Sequence, residues 1–234
     1  MSASETELHE ILFEVARVLR SDMELTTDLS RVVLLATTVV QGCDAATVTL
    51  TLEGTPKTFA STSRLVLEMD IAQYANDHGP CLDAAEKGKV VSVDFAENGE
   101  LYPHVAAAAH ALGVTASLSF PVSLEGRSIG SLNLYSVEPN GFPAPHGPEG
   151  AILAAEVAVA FGVSQVLRAA DQFVAEAQMA VDERAAVSIA EGIVMAQQRC
   201  SADQARGLLG QASDAERRSI IDVAETILRA ATLS

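Results

Sequence analysis

"TASLSFPVSLEGRSIGSLNLYSV", Thr115 to Val137, decides how most of the chain is read. Apolar and small polar residues alternate on both sides of Glu125-Gly126, a pair suited to a two-residue hairpin turn. The stretch is a β-hairpin by this pattern. Working outward, "AATVTLTLEG" from Ala45 and "TPKTFAST" from Thr55 read as a second hairpin, and "KVVSVDF" from Lys89 as a further strand after a turn at Gly88. "LVLEMDIAQYAN" from Leu65 and "ELYPHVAAAAHALG" from Glu100 are helical, the latter ending at Gly113. Before the strands, Leu8, Ile11, Leu12, Val15 and Leu19 recur at helical spacing. A second helix is expected to start at the capping residues Thr26-Thr27-Asp28 and to stop near Gln41, before Gly42. "EPNGFPAPHGPEG" from Glu138 is a loop. Two helices, two strands, a helix, a strand, a helix and a hairpin imply an α+β fold, an antiparallel sheet with helices packed against it.

Composition narrows the function classes. The 234 residues, 49% of them apolar, suffice for one large domain or two modest ones with a sizeable core. The net charge of −16 repels nucleic acid and anionic membranes at long range, so a nucleic-acid role needs a local basic face. The three cysteines, Cys43, Cys81 and Cys200, are far apart and lack C-x-x-C spacing, which indicates neither a disulfide framework nor a zinc site. A reducing cytoplasm fits this usage. "MSASETELHE" is acidic and polar and is not expected to be a signal peptide, and "AILAAEVAVAFGV", interrupted by Glu156, is expected to be too short to span a bilayer.

After residue 147 the pattern is helical throughout. Val159, Val163, Val166, Ala170, Phe173, Ala177, Ala180, Arg184 and Val187 alternate spacings of four and three, an a/d heptad seam. A parallel homodimeric coiled coil is the expectation; a single long helix packing on its own domain is the alternative. Two S-x-x-E/Q capping boxes follow, Ser201 with Gln204 and Ser213 with Glu216. They predict helix starts near residues 202 and 214, with Gly210 stopping the helix between them. A three-helix bundle is the simplest packing.

The tail from about Arg184 to Ala230 resembles the ANTAR domain, an RNA-binding antitermination module. The resemblance is carried by Arg184, Ala190, Gly192-Ile193-Val194-Met195, Cys200-Ser201-Ala202-Asp203, Ala205, Leu208-Leu209, Ser213 and Asp222-Val223-Ala224-Glu225. The front resembles a GAF sensor domain of the actinobacterial type, through Gln73-Tyr74, Gly79-Pro80-Cys81-Leu82-Asp83-Ala84, Gly113-Val114, Ser119-Phe120-Pro121 and Gly130 to Ser136. The domain expectation is therefore a GAF sensor at 1–152, a linker coiled coil at 153–180 and an ANTAR three-helix bundle at 181–234. The resemblance implies a cytoplasmic dimer that binds RNA hairpins in nascent transcripts and prevents terminator formation, gated by an unidentified effector in the GAF pocket.

That resemblance makes Arg199, Arg206, Arg217 and Arg218 the candidates for RNA contact, with Ser201 and Ser213 as phosphate donors at helix starts. In the alternative, both serines only cap and the arginines only pair with Asp203, Asp214 or Glu216. Arg184, Ala190, Gly192, Met195, Ala205 and Ala224 are the scaffold positions; Met195 is expected in the core and Gly192 at a close helix–helix approach. The chain departs from the family where Lys is usual (Glu191), where an aromatic is usual (Arg206) and where an Asn is common (Arg217). Residues 171–234 carry ten Asp and Glu against six Arg, and no aromatic follows Phe173. A sensory dimer with weakened RNA binding is therefore the second reading. The third is a thiol-dependent redox protein using Cys81, with His78 nearby and a helix start beside it. No histidine has the spacing of a metal ligand set, and no metal or haem is expected.

Overall fold

The computed structural model describes residues 24–232. The helix expected over Leu8–Leu19 lies outside the described residues. The described residues fall into two compact units that divide between Leu167 and Arg168.

In the first unit, helix α1 (24–39) already includes Thr26, Thr27 and Asp28, so these residues do not cap it. Leu25, Leu29, Val33 and Ala36 form its buried stripe, and this packing carries the helix back past the polar triplet. Strand β1 (Ala45–Leu52) turns into β2 (Thr55–Ser61) through Glu53 and Gly54, both at positive φ. Glu125 and Gly126 repeat that geometry between β4 (Ala116–Leu124) and β5 (Arg127–Ser136). Positive φ at both central residues matches the right-handed twist of the flanking strands. With β3 (Val91–Asp94) the strands form one antiparallel sheet in the order β2-β1-β5-β4-β3.

The sheet has two covered faces. On one, Val48, Leu50, Leu118, Phe120, Leu132 and Leu134 join a core with α1 and the first turns of α5 (Glu149–Gln198). Gly150 lets α5 approach this face, because a Cβ there would overlap the Phe120 ring. On the other face lie α2 (Arg64–Ala75), α3 (Pro80–Lys87) and α4 (Pro103–Leu112), with Val66, Met69, Val105 and Ala109 buried.

Helix α5 is long and apolar enough, by length and composition, to cross a membrane. It thus exceeds the short apolar stretch expected from sequence. Its first turns are sheet core: Leu153, Ala154, Val157 and Ala158 are buried.

In the second unit, α5 is followed by α6 (Ala202–Glu216) and α7 (Ile220–Thr232). Ala190, Leu209, Val223 and Ala224 make its core, with Val187, Val194, Ile220 and Ile227 packed against them. Ser201 caps α6 with the predicted box: its Oγ accepts from Gln204 N, and Gln204 Oε1 accepts from Ser201 N. The second box is not a helix start. Helix α6 runs through Gly210 to Glu216, so Ser213 sits in its last turn and donates from Oγ to the Arg218 carbonyl. The start of α7 is capped instead by Ser219, which accepts from Asp222 N while the Asp222 carboxylate accepts from Ser219 N. The apolar face of α6, with Ala205 and Leu209 buried, outweighs the helix-breaking tendency of an interior glycine.

Candidate nucleic-acid interface and sensor interior

The helix ends of the second unit share one turn chemistry. Arg199 follows α5 with φ 50° and Arg217 follows α6 with φ 53°. Cys200 N donates to Met195 O, and Arg218 N donates to Ser213 O, the bond that closes a Schellman turn. Each arginine occupies the left-handed position where glycine is usual. Two residues later comes the capping serine of the next helix, Ser201 or Ser219. Both arginine side chains are exposed, and neither has a side-chain partner among the described residues.

The other two candidate arginines are engaged. Arg218 donates to Glu216 Oε2 at 3.1 Å, to the Asp222 carbonyl at 3.0 Å and to Thr226 Oγ1 at 3.0 Å. It clamps the α6–α7 turn. Arg206 binds none of the acids expected for it. Its Nε donates to Glu191 Oε1 at 2.7 Å and its Nη2 to Oε2 at 3.2 Å, a side-on fork from α6 to α5. The guanidinium lowers the Glu191 pKa, and the carboxylate raises that of Arg206. Two departures from the family pattern are thus one interaction. The spacing of 15 residues gave no hint of it, because it depends on how α6 folds back on α5.

The scaffold positions divide. Ala190, Ala205 and Ala224 are fully buried. Met195 is only half-buried, and Arg184 is exposed. Gly192 is exposed, and an added Cβ would meet nothing within 4 Å. The expected close helix approach is therefore absent at Gly192, since its side of α5 turns away from α6 and α7.

In the first unit, the sheet face under α2 and α3 is polar yet buried. Register aligns Thr47 with Asn133 and Asn133 with Ser119, and beside them Thr49 with Ser131. Asp70 of α2 reaches into this face. Its Oδ1 accepts from Thr47 Oγ1 at 3.1 Å and Tyr135 Oη at 2.8 Å, and its Oδ2 from Thr58 Oγ1 at 2.8 Å. Complete burial raises its pKa to about 6, against the lowering effect of these three donors. Ser117 Oγ, Ser131 Oγ and Asn133 Oδ1 are buried with no hydrogen-bond partner among the described residues. Gln73, also buried, accepts from Cys81 N at 2.8 Å and so caps α3 in place of the missing side chain of Gly79. Only the fold brings this network together. Its signal is Val66, Asp70 and Gln73 at spacings of four and three, which puts an acid on a helix's apolar stripe.

Cys81 does lie in the first turn of α3, as the redox reading requires. It is fully buried, and burial together with Asp70 pushes its thiol pKa well up. Both effects oppose thiolate formation. Burial pushes Cys43 up to about 12. Among the described residues no group of His, Cys, Asp and Glu could hold a metal ion. A cleft of about 730 Å³ opens beyond the opposite face of the sheet, between the end of α1, Phe120, Phe142 and the start of α5.

The two units define a class: an antiparallel-sheet sensor joined by one continuous helix to a small helical module. The GAF domain family matches residues 25–161 and the ANTAR domain family residues 175–228. The chain belongs to the GAF family and carries an ANTAR domain, making it a GAF–ANTAR two-domain regulator. Its sensor fold is shared with the domain of a two-component sensor histidine kinase protein from Sinorhizobium meliloti 1021 (19% identity, TM-score 0.51, covering 62% of this chain and 94% of that one). It is shared also with the GAF domain region of a membrane protein from Geobacter sulfurreducens PCA (16% identity, TM-score 0.51, covering 63% and 99%). A type II free methionine-R-sulfoxide reductase from Thermoplasma acidophilum is a more distant neighbour (14% identity, TM-score 0.45, covering 60% and 94%). No curated protein matches the chain.

Proposed function

We propose that this GAF–ANTAR protein is a cytoplasmic, homodimeric, non-enzymatic regulator that binds RNA hairpins in nascent transcripts and acts in antitermination, under control of an effector sensed by the GAF unit. The observation that carries the RNA reading is the pair Arg199 and Arg217, without side-chain partners among the described residues and held in the left-handed region at two helix ends of the ANTAR domain. Left-handed backbone costs a non-glycine residue about 1–2 kcal/mol. Keeping arginine where glycine would be more stable fits a contact that needs the cation, and phosphate is the contact a free exposed arginine makes best. Helix α5 supports the dimer. Val159, Val163, Val166 and Phe173 of the expected seam are exposed, whereas Val187 at its end is partly buried in the ANTAR core. A second α5 would cover the exposed part.

A second reading has its own observation: Arg206 and Arg218 are taken up in intramolecular pairs, which leaves few free cations in an acidic module. This would be a sensory dimer without RNA binding. Gel shifts of the full chain with double-hairpin leader transcripts separate the two. Retarded complexes at low salt support the first reading, and their absence with and without cell-extract small molecules supports the second.

A further inference from the structure

The Glu191–Arg206 pair has a geometry that a simple helix staple does not need. Its two parallel N–H···O bonds hold guanidinium and carboxylate near one plane. The Glu191 side chain is 13% exposed, but that of Arg206 is 63% exposed. The flat guanidinium therefore faces solvent with its orientation already fixed.

We infer that the Glu191–Arg206 fork is a stacking platform for one unpaired base of the bound RNA, an inference that rests on the RNA-binding reading above. The pair is neutral as a unit, which makes it a poor phosphate anchor. A fixed guanidinium plane is instead a surface on which a splayed loop base stacks. No Phe, Tyr or Trp follows Phe173, so this module has no aromatic ring of its own for that task. Fixing the plane beforehand removes ordering that a free arginine would undergo on binding.

The test uses the full chain and a pool of hairpin RNAs with randomised loops, from which binders are selected. One loop position of a selected hairpin, made abasic, should weaken wild-type binding about tenfold, within the range for a stacked base. Arg206→Lys keeps the charge and loses the plane. It should bind about tenfold more weakly and be indifferent to that abasic position, while Arg206→Tyr should recover the sensitivity. Equal affinity for wild type and Arg206→Lys, or equal abasic penalties in both, overturns the platform while RNA binding stands. A pool from which the wild-type chain recovers no hairpin overturns the platform and the RNA reading together.

Discussion

Tyr135 on β5 donates a 2.8 Å hydrogen bond from its phenol to Oδ1 of Asp70 on α2. The contact joins residues 65 apart in sequence at the centre of a buried polar face. The carboxylate it serves has hydroxyl donors and, among the described residues, no cationic partner in its network. Burial wins over those donors, so the sensor holds a carboxyl group that resists ionisation.

This fixes the sign of a pH effect. The folded pKa of Asp70, about 6, stands above the unfolded value near 4. Its contribution to stability is complete below about pH 4 and is lost as pH rises through 6. The loss amounts to roughly 3 kcal/mol by pH 7.5. Asp70→Asn removes that titration. Urea unfolding at pH 4 and pH 7.5 should show the stability difference, wild type minus variant, falling by about that amount. Parallel profiles would refute the assignment.

Gly130 pairs with Leu50 across the β1–β5 ladder, and a Cβ there would overlap the Thr49 carbonyl oxygen. No flexible side-chain end is involved, so the backbone itself must shift. Gly130→Ala should cost more than about 2 kcal/mol, as overpacking in a core does, read from the urea midpoint of the sensor transition.

Gly192 carries the opposite prediction. It lies inside a helix with open space beside it. Gly192→Ala should stabilise the ANTAR unit by about 1 kcal/mol, measured by thermal melting. A loss of stability would restore the close approach that the sequence suggested.

The difference between these two glycines shows what was legible in the sequence and what was not. Period-2 alternation around Glu125-Gly126 specified the hairpin, and the four-three spacing specified α5, because both patterns are local. Ser201 with Gln204 was legible as a cap for the same reason. The second cap failed because Ser213 with Glu216 and Ser219 with Asp222 both offer a side-chain acceptor, and only the packing of α6 chooses between them. The polar strand residues Thr47, Thr49 and Asn133 alternate like a solvent face, yet α2 and α3 bury them. The pairing of Glu191 with Arg206 was hidden likewise, since it links two helices through a fold-back rather than through helical spacing.

The seam on α5 yields a test of assembly. Val166 and Phe173 are exposed at positions that face a partner helix in a parallel coiled coil. Phe173→Glu should convert a dimer into a monomer in sedimentation equilibrium while leaving the circular dichroism of the sensor unchanged. A wild-type chain that sediments as a monomer at tens of micromolar would contradict the dimer.

The central claim is that Arg199 and Arg217 hold RNA phosphates from the left-handed ends of α5 and α6. Its most direct measurement is the salt dependence of hairpin RNA binding by wild type and by the double variant Arg199→Gly/Arg217→Gly. Glycine is the preferred residue at both turns, so the variant should be at least as stable as wild type. It should nonetheless bind more weakly, and its slope of log affinity against log salt should be shallower by about 1.4–1.8, the value for two phosphate contacts. Unchanged affinity and slope in a more stable protein would contradict the account.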